Sequence, residues 1–149
     1  MPEKVVRGGN IEEDVKLIVG AISRFLENYK ISIEKGKEGY ELYLKDHDKE
    51  YLLGAIFKRG TTDHYTMLLF FDVFLPAYII KGRSLSIQEF NNIEQEMLPK
   101  DEKRSIVEEI VEFLKNLNLE ITVLDFGRVS VILDVRKKPP PKEKTTSLN

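Results

Sequence analysis

Asp72 is the residue best placed for chemistry, because it lies inside the most apolar stretch of the chain, residues 65–80. A carboxylate among apolar side chains is costly unless it is paired, hydrogen-bonded, protonated or near an edge. If residues 65–75 form a central strand, Asp72 shares one face with Phe70 and Phe74. It is then a candidate ligand-binding or acid–base carboxylate in a pocket, and the alternative is a structural hydrogen bond to a backbone amide or hydroxyl.

The two histidines are the other groups suited to ligand binding or proton transfer. His64 is a second ligand-binding candidate, but it precedes Asp72 by eight residues, about 27 Å along a strand, so it needs partners from elsewhere. His47 stands between Asp46 and Asp48, a pattern more typical of a polar hairpin tip than of a metal site. The chain has no Cys, which excludes disulfides, thiolate zinc sites, iron–sulfur clusters and cysteine nucleophiles. We therefore expect no metal and no cofactor.

Motifs with a known catalytic mechanism are absent from the sequence. There is no Gly-x-Ser-x-Gly elbow, no His-Glu-x-x-His pair, no kinase signature and no phosphate-binding glycine pattern. No catalytic residue is predicted, and the sequence favours a protein that is not an enzyme.

The spacing of apolar residues predicts the elements that position these side chains. Spacings of three and four indicate helices, and alternation indicates strands. Ser86 and Glu89 form a capping-box pattern at the start of the second helix. The prediction is an α+β protein, a single domain with a mainly antiparallel sheet of five to six strands and three helices. The predicted order is α-β-β-β-β-α-α-β-β, with helices over about 11–29, 87–97 and 101–117 and strands within 31–57, 65–75, 119–123 and 129–135.

The two ends of the chain differ from its middle in composition. Residues 1–9 predict a flexible leader, residues 10–135 the domain, and residues 136–149 a basic, proline-rich disordered tail. The cations of this tail predict salt-sensitive contact with nucleic acid as an alternative function; they are Arg136, Lys137, Lys138, Lys142 and Lys144.

Charge and hydropathy indicate which partners and which cellular location to expect. A net charge of −2 argues against nucleic-acid binding over the whole surface. The apolar stretch 65–80 is too short and too interrupted to cross a membrane, and no secretory signal is evident, so we expect a cytoplasmic protein with no membrane partner. Abundant Lys and Glu without Cys are typical of a heat-adapted source.

Apolar side chains fall on both faces of the predicted sheet. If the helices cover one face only, the other must meet a protein partner, most simply a second copy. The alternative is a monomer whose second layer is the helix pair at 87–117. The sequence thus predicts a chaperone- or adaptor-like interaction module, with a small-molecule binder or enzyme centred on Asp72 as a further alternative. The interaction candidates are Tyr43, Leu52, Ile56, Phe70 and Phe74.

Overall fold

A computed structural model describes residues 11–60, 64–93 and 98–138 of the chain. Within these residues there are four helices and six strands. The helices are α1 (Ile11–Phe25), α2 (Phe71–Ile80), α3 (Ile87–Ile93) and α4 (Lys100–Lys115). The strands are β1 (Lys30–Lys35), β2 (Tyr40–Asp46), β3 (Lys49–Lys58), β4 (His64–Phe70), β5 (Leu119–Phe126) and β6 (Ser130–Lys137). The predicted leader, residues 1–9, and residues 139–149 of the predicted tail lie outside the described residues.

The strands form one antiparallel sheet in the order β1-β2-β3-β4-β6-β5. Strand β4 lies inside the sheet, where Leu68 pairs with Ala55 on one side and with Ile132 on the other. The predicted α+β class and antiparallel sheet are confirmed. Four helices instead of three occupy the described part of the chain, because an additional helix, α2, follows β4 directly.

One face of the sheet carries the hydrophobic core. Leu42, Met67 and Leu133 are fully buried on this face, beneath the apolar stripes of the helices. Ile18 of α1 and Ile110 of α4 are buried against the same core. Burial of this large apolar area, about 25 cal/mol per Å², is the main term that stabilises the fold.

The predicted strand over residues 65–75 is wrong beyond Phe70. The ladder ends where the Phe71 N–H donates to the Val129 carbonyl at 2.9 Å, and the chain then turns into α2. This helix is apolar on nearly every side because most of its residues are buried, so its sequence lacks the helical stripe that would reveal it. Pro76 lies inside α2 and cannot donate to the Asp72 carbonyl one turn earlier. The side-chain amide of Asn91 donates to that carbonyl instead, at 2.8 Å.

A β-bulge in β3 changes which side chains face the core. Leu42 pairs with Gly54 and Tyr43 with Leu52, so Leu53 is the extra residue. Strict alternation places Leu52 and Ile56 on one face. The bulge separates them, and Ile56 is fully buried on the helix side.

The predicted capping box is confirmed at the start of α3. The Ser86 N–H donates to Oε1 of Glu89 at 2.9 Å, and the Glu89 N–H donates to Oγ of Ser86 at 3.1 Å. Asp46 adds a third contact, accepting from the Ile87 N–H at 2.9 Å. The Asp46-His47-Asp48 segment is thus a hairpin turn whose first carboxylate anchors a helix.

Candidate functional site

The side of the sheet opposite the core, the open face, carries a continuous group of apolar side chains. Register places this group across the central strands β3, β4 and β6, with one member on β2. We call it the apolar patch; its members are Tyr43, Leu52, Ala55, Phe57, Leu68, Phe70 and Ile132.

No helix of the described residues packs on the apolar patch, since the buried row of each strand points to the other face. Leu52 and Phe57 remain 39% and 37% exposed. The Phe57 ring lies across Gly39, where an added Cβ would stand 2.6 Å from Cδ1 of the ring. A larger residue in place of this glycine would therefore collide with the Phe57 ring.

Charged residues of both signs border the patch. On β2, the Tyr43 hydroxyl donates to Oε1 of Glu41 at 2.8 Å, and this hydrogen bond raises the pKa of Tyr43 above its ordinary value. At the other side, Nε of Arg136 lies 3.5 Å from Oε1 of Glu120. The rim is therefore mixed in sign, whereas the centre is apolar.

His64 lies at one end of the open face and contacts Asp134, not Asp72. Its Nδ1 is 3.4 Å from the carboxylate of Asp134, and both side chains are only partly exposed. The sequence could not reveal this partner, because Asp134 comes from β6, seventy residues further along the chain.

The interaction candidates divide between the patch and the core. Tyr43, Leu52 and Phe70 lie on the open face. Ile56 and Phe74 are fully buried and contact no solvent. Phe74 belongs to α2, and its ring lies 6.2 Å from that of Phe25. Leu68 of β4 and Ile132 of β6 were not among the predicted candidates, because only the pairing of these strands brings them beside β3.

Asp72 is exposed, so the expected burial among apolar side chains is wrong. It occupies the first turn of α2 and lines a cleft of about 870 Å³. The start of α4 and the β5–β6 turn form the other walls, contributing Lys103 and Arg128. The predicted neighbours on a shared strand face do not surround Asp72, since it is not on a strand.

Two cations of the predicted tail belong to β6 and form ion pairs. Arg136 contacts Glu120, and Nζ of Lys137 lies 3.1 Å from Oδ1 of Asp14, a carboxylate that is 4% exposed. Lys138 is exposed, and Lys142 and Lys144 lie outside the described residues. Arg136 and Lys137 are therefore part of the sheet and do not belong to a separate arm.

The described ranges hold neither a metal-binding cluster nor a membrane-spanning helix. No group of three or more His, Asp or Glu side chains is placed to hold a metal ion. Of the helices in these ranges, none is long and apolar enough to pass through a membrane.

Comparison with protein-family models, with curated proteins and with solved structures finds no match to this chain. The apolar patch and the Asp72 cleft are therefore the features on which a function has to be argued.

Proposed function

We propose that the protein is a non-enzymatic interaction module that pairs with a second copy of itself through the open face. The apolar patch is the observation that carries this proposal. It groups seven side chains from four strands on a face that no described helix covers. Contiguous apolar surface of this kind marks interaction sites in proteins.

The dimensions of the open face match a small, stable interface. Six strands spaced by about 4.8 Å span about 24 Å, and the seven residues of β4 span a similar length. Two such faces in contact bury about 600 Å² each, or about 1,200 Å² in total, the lower end of the standard range. The aromatic content, Tyr43, Phe57 and Phe70, is typical of interface centres.

The mixed rim favours a second copy as the partner. A two-fold interface brings the same surface together twice, so a rim of a single sign would repel itself. Here Glu41 and Asp134 lie on the same face as Lys45 and Arg136. Each copy can therefore offer opposite charges to the other around an apolar centre.

Light scattering after size exclusion tests the proposal at micromolar concentration. The wild type is expected at twice 17.3 kDa. Leu52→Lys combined with Leu68→Lys is expected to give a monomer, because two ammonium groups then meet the apolar centre of the partner. Leu17→Lys is the matched control, since Leu17 is a 52% exposed leucine on α1, away from the open face. A monomeric wild type, or a patch variant that stays dimeric, contradicts the proposal.

Residues 139–149 are the competing occupant of the open face. They follow β6 directly, and eleven residues in an extended form reach about 34 Å, enough to cross the sheet. A chain ending at Lys138 separates the two occupants. If the full chain is a monomer and the shortened chain a dimer, the tail covers the face and the proposal is wrong. If both are dimers, the second copy is the occupant.

Three finer expectations belong with this proposal. Cytoplasmic action and a heat-adapted source stay predictions from composition. Nucleic-acid binding by the tail stays an alternative, although Arg136 and Lys137 are engaged in ion pairs within the sheet.

A further inference from the structure

The cleft beside Asp72 has a surface chemistry that differs from that of the open face. Three segments distant in sequence form it: the β4–α2 junction, the start of α4, and the β5–β6 turn. Its volume of about 870 Å³ falls within the range of ligand-binding clefts. We call it the basic cleft, because Lys100, Lys103 and Arg128 line it.

Two aromatic rings lie beneath the cations Lys103 and Arg104 of α4. The ring centroids of Phe71 and Phe126 are 5.4 Å apart, and the rings are tilted by 51°. Nζ of Lys103 lies 5.9 Å from the centroid of Phe71, and Cζ of Arg104 lies 4.6 Å from that of Phe126. Of these two cations only Lys103 lines the cleft, and cation–π attraction restricts its side chain, so less conformational entropy is lost when it binds an anion.

The charge of the lining favours an anionic ligand. Three cations line the basic cleft against one carboxylate, that of Asp72, in a chain whose net charge is −2. Two acidic side chains at the start of α4, Asp101 and Glu102, are exposed and do not line the basic cleft. A local positive excess on an acidic protein attracts acidic partners.

We propose that the basic cleft binds an acidic peptide segment of another protein. Peptide carboxylates contact Lys100, Lys103 and Arg128, and an apolar peptide side chain packs against Val129, which lines the cleft and is 69% exposed. The carboxylate of Asp72 accepts hydrogen bonds from peptide backbone N–H groups. This binding goes beyond self-pairing. The two surfaces adjoin at Phe70, a patch residue that also lines the basic cleft.

Two features of the lining favour a peptide over nucleic acid. Asp72 would repel a phosphate backbone, which has no N–H group along its chain to offer in return. Phe71 is only 2% exposed and Phe126 lies under Arg104, so neither ring presents a free face on which a base could stack.

Fluorescence anisotropy on the full chain tests this proposal at low salt. The probes are a labelled short peptide of glutamates around one phenylalanine, the same peptide with lysines in place of glutamates, and a labelled single-stranded oligonucleotide. The acidic peptide is expected to bind, the lysine peptide is not, and the oligonucleotide is expected to bind more weakly. Added salt should weaken binding of the acidic peptide.

Charge-reversal variants locate the binding. The double variant Lys103→Glu with Arg128→Glu is expected to weaken binding of the acidic peptide at least about tenfold. Lys16→Glu with Arg24→Glu, two exposed cations on α1, is the control with the same change of net charge and is expected to bind nearly as the wild type. Circular dichroism shows whether each variant folds. If the double variant does not fold, the single variant Arg128→Glu, in an exposed turn, replaces it in the binding measurement.

Three results overturn the proposal. The first is no binding of the acidic peptide by the folded wild type. The second is equal weakening by the α1 control, which would reduce the effect to net charge. The third is tighter binding of the oligonucleotide than of the peptide, which would assign the basic cleft to nucleic acid. Because the cleft variants leave Leu52 and Leu68 unchanged, light scattering on the same samples separates failure of this site from failure of self-pairing.

Discussion

Asp14 connects helix α1 to two strands through a buried carboxylate. Its Oδ2 accepts from the Tyr65 hydroxyl at 2.6 Å, and its Oδ1 accepts from Nζ of Lys137 at 3.1 Å. Tyr65 is fully buried, so its hydroxyl has no access to water. A buried donor that loses its acceptor costs more than the hydrogen bond contributed. These three residues therefore fix how α1 packs on the sheet.

Asp14→Ala is expected to lower the free energy of unfolding by about 2 kcal/mol, because it leaves the Tyr65 hydroxyl without its carboxylate acceptor. Tyr65→Phe removes the hydroxyl itself, so the double variant should lose less than the two single variants added together. Urea unfolding measures all three. Glu12→Ala, an exposed carboxylate in the same helical turn, is the control and should change stability by no more than about 0.5 kcal/mol. Additive losses from the pair would contradict this coupling.

Tyr78 is expected to ionise at a higher pH than an ordinary exposed tyrosine. Its hydroxyl donates to Glu109, and this hydrogen bond, together with partial burial and the carboxylate charge, raises the pKa of Tyr78 to about 12. A raised pKa favours the neutral form in the folded state. Its contribution to stability is therefore present below pH 10, the ordinary value, and is lost as the pH rises towards about 12.

Absorbance of the phenolate against pH tests this expectation, with circular dichroism marking the range in which the chain stays folded. Tyr78→Phe should remove one phenol from the late part of the titration, and Glu109→Gln should move the titration of Tyr78 to lower pH. Tyr40→Phe is the control, because that tyrosine belongs to β2 and does not contact Glu109. An unchanged late titration in Tyr78→Phe would assign the shift to another tyrosine.

Helix α2 shows how one element depends on another. Pro76 cannot supply the N–H that would bond to the Asp72 carbonyl, and Asn91 of α3 supplies an amide donor in its place. The cost of a proline inside a helix is thereby partly offset by a side chain from the next helix. This contact connects α2 to α3, which is otherwise a short helix of seven residues.

A double-mutant cycle measures this substitution of one donor by another. Asn91→Ala is expected to destabilise the wild type by about 1 kcal/mol, because the Asp72 carbonyl loses its donor. In a Pro76→Ala background the backbone N–H of the new alanine restores a donor, so Asn91→Ala should cost clearly less. Thermal or urea unfolding gives both values. An equal cost in the two backgrounds would show that Asn91 acts through other contacts.

Two glycines provide a matched pair with opposite expectations. Gly20 lies on the exposed side of α1, and an added Cβ there meets no heavy atom within 4 Å. Gly20→Ala is therefore expected to stabilise the fold by about 0.5 to 1 kcal/mol. At Gly54, in the β3 bulge, an added Cβ would overlap the Leu68 carbonyl oxygen. Gly54→Ala is expected to cost more than about 2 kcal/mol. Urea unfolding measures the change in the free energy of unfolding for each variant and so gives its sign.

Elements with a clear period were predictable, and those without one were not. The stripe of α1 and the alternation in β2 and β6 identify their elements, and Ser86 with Glu89 marks the start of α3. Residues 71–80 carry no stripe because α2 is buried nearly all round, so the run looked like a continued strand. The bulge in β3 is equally hidden, since one extra residue leaves no mark in a run of apolar side chains.

Over the described residues, the sheet has helices on one side only. This asymmetry could be anticipated from apolar side chains on both faces of single strands, as at Tyr43 and Leu52. The side chains that meet across neighbouring strands could not be anticipated, because three helices and β5 separate β4 from its partner β6 in the sequence. The basic cleft was beyond reach for the same reason, as its walls come from three distant segments.

If the protein pairs with a second copy through the open face, as proposed, its stability depends on protein concentration, because the dimer forms from folded copies only. Each tenfold rise in concentration is expected to raise the thermal midpoint of the wild type by about 2 °C, the shift that mass action gives for a dimer of this size. In the variant Leu52→Lys with Leu68→Lys the midpoint should not move with concentration. Leu17→Lys should keep the dependence of the wild type, since its side chain lies outside the open face. A wild-type midpoint that stays constant over two decades of concentration would exclude a dimer linked to folding, whatever its mass by light scattering.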